Sequence, residues 1–176
     1  MTKMKRFYLI ILLLLDPCIS LQLLAHKLEI AVAGSWVEIP AQQTQGDLKP
    51  GWKIVDYQMK SRLTHYLFGG HATQLADGNQ PALRVTPGEK EVLVDYVLIR
   101  LKHYKSYRKL PKAKLMENIY MRLEPKDFNV RAEDDAFVCQ PHQPLAPGEY
   151  ILVCLTQKPI GELGDFLVFP FSVMKD

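Results

Sequence analysis

Turn-forming residues interrupt this chain so often that long helices have little room to form. Its 176 residues include 12 prolines and 10 glycines. The segments between them are rich in β-branched and aromatic side chains, which favour strands. Turn signals recur about every ten residues; examples are Pro50-Gly51, Gly69-Gly70, Asp77-Gly78, Pro87-Gly88 and Pro147-Gly148. This pattern predicts an all-β chain that folds as an antiparallel β-sandwich of eight or more short strands.

The strand candidates differ in how completely we expect them to be buried. Residues 91–102 form the longest candidate, and both faces of its first half are apolar, so it should lie centrally with cover on both sides. Pro170 indicates an edge position or a bulge in the last candidate, because proline cannot donate to the strand ladder. Residues 113–123 fit either a helix or a strand. The other candidates are 28–33, 36–39, 52–59, 82–86, 128–131, 136–140, 149–156 and 166–173.

The first 25 residues have the layout of a secretory signal peptide. Three bases precede an apolar run over residues 7–15, which ends at Asp16-Pro17. The run is roughly 9 residues long, whereas a membrane-spanning helix needs about 20. The sequence therefore predicts a secreted protein, periplasmic or extracellular, with no transmembrane span in its mature chain.

Two cleavage sites fit the end of this signal. Cleavage after Ser20 or after Ala25 would follow a small residue. A lipid anchor at Cys18 is disfavoured, because residues 15–17 lack the small side chain normally found before a lipidated cysteine. Residues 26–176 then form a single β-sandwich domain, since about 150 residues can bury a core of their own.

The signal accounts for most of the net positive charge. The whole chain has a formal net charge of +3. Residues 1–25 hold three bases (Lys3, Lys5, Arg6) and one acid (Asp16), so +3 less +2 leaves +1 for the remainder. The basic balance of the full chain therefore says little about its partners.

Two cysteines remain once Cys18 is removed. Cys139 and Cys154 lie on strand candidates joined by a proline-rich turn, and folding about Pro147 would place them opposite each other in an antiparallel hairpin. Export to an oxidising compartment would allow a disulfide there. A bridged loop of about 15 residues would contribute about 3 kcal/mol. The alternative is a pair of free thiols buried in the core.

Residues 100–114 are the one strongly charged feature, with seven bases and no acid. If the strand from residue 91 continues through Tyr107, then Arg100, Lys102, Tyr104 and Arg108 project from one face. Such a basic ladder with an aromatic ring could bind an anionic polymer such as an acidic glycan. The alternative is a solvated hairpin whose charges prevent edge-to-edge aggregation. Export argues against nucleic acid as the ligand.

No catalytic or metal-binding motif is apparent. The five histidines show no metal-ligand spacing with one another or with a cysteine, and no phosphate-binding loop or nucleophile elbow occurs. The acidic residues 133–135 are typical of a hairpin turn rather than of paired catalytic carboxylates. We expect no cofactor, no metal and no catalytic residue.

The C-terminal half resembles a family of uncharacterised exported bacterial β-sandwich domains of the Ig-like kind. The resemblance covers roughly residues 66–156. It rests on Val94-Asp95-Tyr96-Val97-Leu98-Ile99-Arg100-Leu101, on Tyr107-Arg108-Lys109-Leu110 and on Pro144-Leu145-Ala146-Pro147-Gly148-Glu149-Tyr150. In such domains a Leu-x-Pro-Gly-Glu-Tyr turn leads into a core strand. The family implies a fold and no activity.

These observations favour a non-enzymatic binding or structural module of the cell envelope. One alternative is a binder of an anionic glycan or envelope polymer through residues 100–114. Another is an accessory factor or hydrolase acting on envelope polysaccharide, which would need a deep site with two facing carboxylates. An envelope protein is the other kind of partner compatible with this chain.

Overall fold

The structure, a computed structural model, describes residues 27–49, 54–55, 58–59, 62–110, 120–158, 160 and 165–174. The predicted signal peptide, residues 1–25, lies outside this range. Within it, one turn of 3-10 helix at Leu93–Asp95 is the sole helical element, and no helix there is long and apolar enough to cross a membrane. The expectation of an all-β fold is confirmed.

Sixteen strands are described. In chain order they are β1 (Lys27–Val32), β2 (Ser35–Glu38), β3 (Gln42–Gln43), β4 (Gln45–Lys49), β5 (Ile54–Val55), β6 (Gln58–Met59), β7 (Arg62–Phe68), β8 (Leu83–Thr86), β9 (Tyr96–Arg100), β10 (Lys102–His103), β11 (Tyr107–Lys109), β12 (Tyr120–Arg122), β13 (Phe128–Glu133), β14 (Ala136–Pro141), β15 (Gly148–Cys154) and β16 (Leu167–Val173).

The strands form three sheets and one two-stranded hairpin, and the pairings between them are antiparallel. The first sheet has the order β13-β14-β8-β1-β2, and the central sheet has the order β12-β9-β15-β16-β3. A four-stranded sheet has the order β10-β11-β7-β4, and β5 pairs with β6. Of residues 113–123, the structure describes 120–123, and the first three of these form strand β12.

Two hydrophobic clusters place the central sheet between the other two. The larger cluster joins Leu28 and Val85 of the first sheet to Leu98 and Leu152 of the central sheet. The smaller cluster contains the alternate residues of the central strands, together with Leu67 of the four-stranded sheet. Successive side chains of a strand point to opposite faces, so the central sheet is covered on both sides.

Strand β9 shows the predicted central burial. Its residues Tyr96, Val97, Leu98 and Ile99 are each 1 % exposed, with Tyr96 and Leu98 in the larger cluster and Val97 and Ile99 in the smaller one. The expected start at residue 91 is too early, because 93–95 form the 3-10 turn.

Two short turns lie where the residue types in the sequence predict tight turns. Ala33 and Gly34 connect β1 to β2 with φ values of +49° and +79°, which is the geometry of the two-residue turns that match strand twist. Asp134 and Asp135 connect β13 to β14, with Asp134 at φ +52°. The acidic segment is thus the hairpin turn that its composition predicts.

Pro170 also lies where its missing N–H is tolerated. Strand β16 pairs along one side with β15, and on its other side β3 covers only Leu167 and Val168. Beyond Pro170, Ser172 bonds to the backbone of Gln74 and Ala76. Pro170 therefore lies between the stretch of β16 that pairs with β3 and the stretch that bonds to Gln74 and Ala76.

The predicted cysteine hairpin is wrong. Strand β14, which carries Cys139, pairs with β13 and β8 in the first sheet. Strand β15, which carries Cys154, pairs with β9 and β16 in the central sheet. Both thiols are free and buried in the larger cluster, so they fill the core instead of forming a disulfide.

Candidate functional site

The predicted basic ladder does not form, because the chain reverses direction within it. Strand β9 ends at Arg100, and β10 and β11 then pair with each other around a turn that contains Tyr104. The Tyr104 amide donates to the carbonyl oxygen of Tyr107 at 2.9 Å. This turn changes which residues share a face, so the single-face prediction for the four site residues is wrong.

The four predicted residues occupy three different environments. Arg100 is exposed, and its Nη2 donates to the carbonyl oxygen of Pro147 at 2.6 Å. Lys102 on β10 and Tyr104 in the turn are also exposed. Arg108 on β11 is only 2 % exposed. The structure therefore leaves three of them accessible to a ligand and buries the fourth.

The outer face of the four-stranded sheet carries a group of aromatic side chains that are exposed or half-buried. In the register of β11 and β7, Tyr107 lies opposite Phe68 and Lys109 lies opposite Tyr66. Because alternate residues share a face, Tyr66, Phe68 and Tyr107 point away from the smaller cluster, into which Leu67 points. Phe68 is 59 % exposed. We call these three residues the aromatic platform.

Ring contacts fix the arrangement of the platform. The Tyr66 and Tyr107 rings meet edge to face with centroids 5.4 Å apart, and Tyr104 stacks on Tyr107 at 4.6 Å. The Lys109 ammonium lies 5.4 Å from the centre of the Tyr66 ring, within the range of a cation–π contact. The platform is thus held before any ligand arrives.

Small-ligand sites are clefts of about 300–1,000 Å³, and the platform borders an open cavity of about 430 Å³. Its lining joins the aromatic rings to short polar groups. The lining residues are Gln45, Gly46, Asp47, Tyr66, Phe68, Ser106 and Tyr107. Asp47 is the one carboxylate among these described lining residues.

Two lysines stand together beside the platform. Lys102 and Lys109 are direct partners across β10 and β11, and like charges directly opposite each other destabilise a strand pair. Both lie on the platform face, because Lys109 and Tyr107 are two residues apart on β11. An anion bound here would relieve their repulsion.

Beneath the platform, Arg108 and Glu149 form a buried ion pair. Arg108 Nη1 lies 3.6 Å from Glu149 Oε2, and the two side chains are 2 % and 4 % exposed. The guanidinium also donates to Gln42 Oε1 at 3.0 Å and to the carbonyl oxygens of Phe68 and Gly69 at 3.2 Å. Arg108 therefore ties the end of β7 to the inside of the fold.

Glu149 ties the following loop and β16 to the same point. Its Oε1 accepts from Ser172 Oγ at 2.7 Å and from His71 Nδ1 at 2.9 Å, and its Oε2 accepts from the Ala72 amide at 2.9 Å. Burial acts to raise the pKa of Glu149, but these donors and the Arg108 charge outweigh it and hold that pKa below its usual value. Glu149 is therefore ionised at neutral pH.

Sequence reasoning missed Glu149, His71 and most of the platform. One signal for Glu149 was present: it alternates with Ile151 and Val153 on a buried strand, so its carboxylate had to share an apolar face. The residues next to Tyr66 and Phe68 in sequence gave no signal that these side chains belong to a surface site, because their exposure depends on which strand pairs with β7.

The described residues contain no group of three or more histidine, cysteine or acidic side chains placed to hold a metal ion. No protein-family model, curated protein or solved structure matches this chain. The resemblance to exported bacterial β-sandwich domains therefore rests on the sequence motifs alone.

Proposed function

We propose that this chain is an exported, non-enzymatic binding module of the cell envelope that holds an anionic glycan on its aromatic platform. The observation that carries the proposal is the aromatic platform, with Phe68 exposed and Tyr66 and Tyr107 half-buried, beside the Lys102–Lys109 pair. Aromatic faces pack against the apolar faces of sugar rings, and paired ammonium groups attract carboxylate or phosphate substituents.

The cavity beside the platform favours binding over cleavage. Glycoside hydrolysis typically uses two carboxyl groups that flank the scissile bond, and the described lining contributes Asp47 alone. Glu149 is buried, ionised and saturated with donors, so it is poorly suited to act as a general acid. These features support a protein that binds its ligand and releases it chemically unchanged.

The fold proposal is that the first sheet and the central sheet form a β-sandwich of the Ig-like kind. The larger hydrophobic cluster, shared by the facing sides of these two sheets, supports it. The four-stranded sheet would then be an added layer that carries the binding surface.

The test is affinity electrophoresis of the mature chain through gels that contain polygalacturonate, with dextran as the neutral comparison. We expect retardation by polygalacturonate. Tyr107→Ala should weaken it about tenfold, because a lost stacking contact of about 1.4 kcal/mol corresponds to that factor. Lys102→Glu should weaken it more at low salt than at high salt, since screening already reduces the contribution of an exposed lysine.

Two matched variants serve as controls. Trp36→Ala removes a half-buried aromatic side chain from the first sheet, and Lys126→Glu reverses an exposed charge in the segment between β12 and β13. Both should migrate as the parent chain does. Unchanged retardation of Tyr107→Ala and Lys102→Glu, or an equal loss in the two controls, would contradict the proposal.

A further inference from the structure

His71 is oriented by a buried carboxylate although its own ring is exposed. Its Nδ1 lies 2.9 Å from Glu149 Oε1, and the side chains of His71 and Glu149 are 73 % and 4 % exposed. An ionised carboxylate can only accept, so Nδ1 is the donor. A neutral His71 ring therefore presents the lone pair of Nε2 to the solvent.

A second histidine ring lies directly beside the first. The His71 and His103 ring centroids are 4.5 Å apart, with the planes inclined at 39°. His103 is exposed at the end of β10, and its Nε2 lies 3.5 Å from the position that a Cβ would occupy on Gly70. This nitrogen thus faces the loop that carries His71.

The absence of a side chain at Gly70 allows this approach. A Cβ on Gly70 would lie 2.7 Å from the carbonyl oxygen of Lys105, which is closer than such atoms pack. The loop of residues 69–72 and the turn after β10 therefore meet at backbone distance. Their contact brings the two imidazoles together from segments more than 30 residues apart in sequence.

The ring separation allows the two imidazoles to share one metal ion. A metal–nitrogen bond of about 2.0–2.1 Å places each ring centre about 3.2 Å from the metal. An angle of about 90° at the metal, as in square-planar or octahedral coordination, then separates the centres by about 4.5 Å, and the tetrahedral angle of about 109° separates them by about 5.2 Å. The observed 4.5 Å lies at the lower end of this range.

We propose that His71 and His103 bind a divalent transition ion of the class that prefers imidazole ligands, Zn²⁺, Cu²⁺ or Ni²⁺. Glu149 acts as the outer partner, because a carboxylate on the remote nitrogen fixes the ring and increases its basicity. Water completes the coordination. The site is independent of the glycan proposal, since neither histidine belongs to the platform.

Zinc sulfate is the probe, added to the full chain and followed by calorimetry and by ¹⁵N NMR of the imidazoles. We expect saturable binding that shifts the Nε2 resonances of His71 and His103 together. His71→Ala and His103→Ala should each lower the affinity at least about tenfold, by analogy with the loss of one partner of a metal site. Both side chains are exposed, and Glu149 keeps Ser172, the Ala72 amide and Arg108 as partners in either variant, so neither change should unfold the chain.

His142→Ala is the matched control, because His142 is also exposed. It follows the end of β14 that is farther from the turn to β13, and its Nε2 contacts the carbonyl oxygen of Pro125. It should bind zinc as the parent does. The proposal is overturned if the parent shows no saturable binding, if the His71→Ala, His103→Ala double variant keeps the parent affinity, or if zinc shifts Nδ1 of His71 in place of Nε2.

Discussion

Glu149 is ionised although it is buried, and its ionisation depends on the groups that surround its carboxylate. Ser172, His71 and the Ala72 amide supply hydrogen bonds, and Arg108 supplies the opposite charge. Buried ion pairs of this kind add little net stability as a pair, but removal of one partner leaves the other charge uncompensated. The contribution of Glu149 is therefore best measured by neutralising it.

Glu149→Gln should lower the free energy of unfolding by about 3–5 kcal/mol at neutral pH, the usual effect of breaking a buried ion pair. The difference should shrink on acidification. The folded-state pKa of Glu149 is depressed, so its stabilisation is complete above the unfolded value of about 4.3 and is lost as the pH falls through the lower folded value. Urea unfolding at a series of pH values measures both effects.

Glu133→Gln is the control for this measurement. Glu133 pairs with Arg131 at the surface, where the two side chains are 32 % and 73 % exposed, and such pairs contribute about 0–1 kcal/mol. A Glu149→Gln loss as small as that of Glu133→Gln, or one that grows on acidification, would show that the ion pair does not stabilise the fold in this way.

At the scale of strands, the sequence predicted what is local and missed what is distant. Hydrophobic alternation located most strands within a few residues, and turn chemistry located the acidic hairpin at 133–135. Strand pairing was not predicted in the same way. Residues 136–140 and 149–156 are close in sequence yet join different sheets. Pairing depends on where the apolar face of each strand can be buried in the whole fold, and the neighbouring sequence does not show that.

In the basic segment, the sequence predicted one continuous strand, and the structure has a turn there. A strand of period two places Lys102 and Arg108 on one face only if no turn lies between them. The reversal around Tyr104 instead places Lys102 beside Lys109 and turns Arg108 inward. A continuous run of bases gives no local signal for such a turn, so the residues of the candidate surface were only partly predictable.

The separate sheets of the two cysteines lead to a prediction about their reactivity. Burial raises the pKa of Cys139 to about 12, and burial also raises that of Cys154. Since the thiolate is the reactive form, a Cys18→Ser chain should react with a thiol reagent at pH 8 very slowly when folded. Two thiols should react at once in denaturant.

Peptide mapping without reduction checks the same point. Cys139 and Cys154 should be recovered in separate peptides. A cross-linked peptide that contains both, or rapid labelling of the folded chain, would contradict the arrangement of free thiols in the core.

For the whole molecule, the proposed function depends on export, which we predict from residues 1–25. Their predicted removal would lower the formal net charge from +3 to +1. The mature chain then has no strong overall field, so attraction to an anionic glycan must come from the local Lys102–Lys109 pair. Binding should accordingly show a shallow dependence on salt once the signal is absent.

Expression in a bacterial host followed by fractionation and intact-mass measurement tests this assignment. We expect the chain in the periplasm or medium, shortened by residues 1–20 or 1–25. Leu13→Arg places a charge in the apolar run that the export machinery reads, so this variant should stay in the cell at full length. Recovery of the parent chain in the cytoplasm at full length, with the same distribution as Leu13→Arg, would remove the basis for an envelope function. The aromatic platform would then need a ligand from inside the cell.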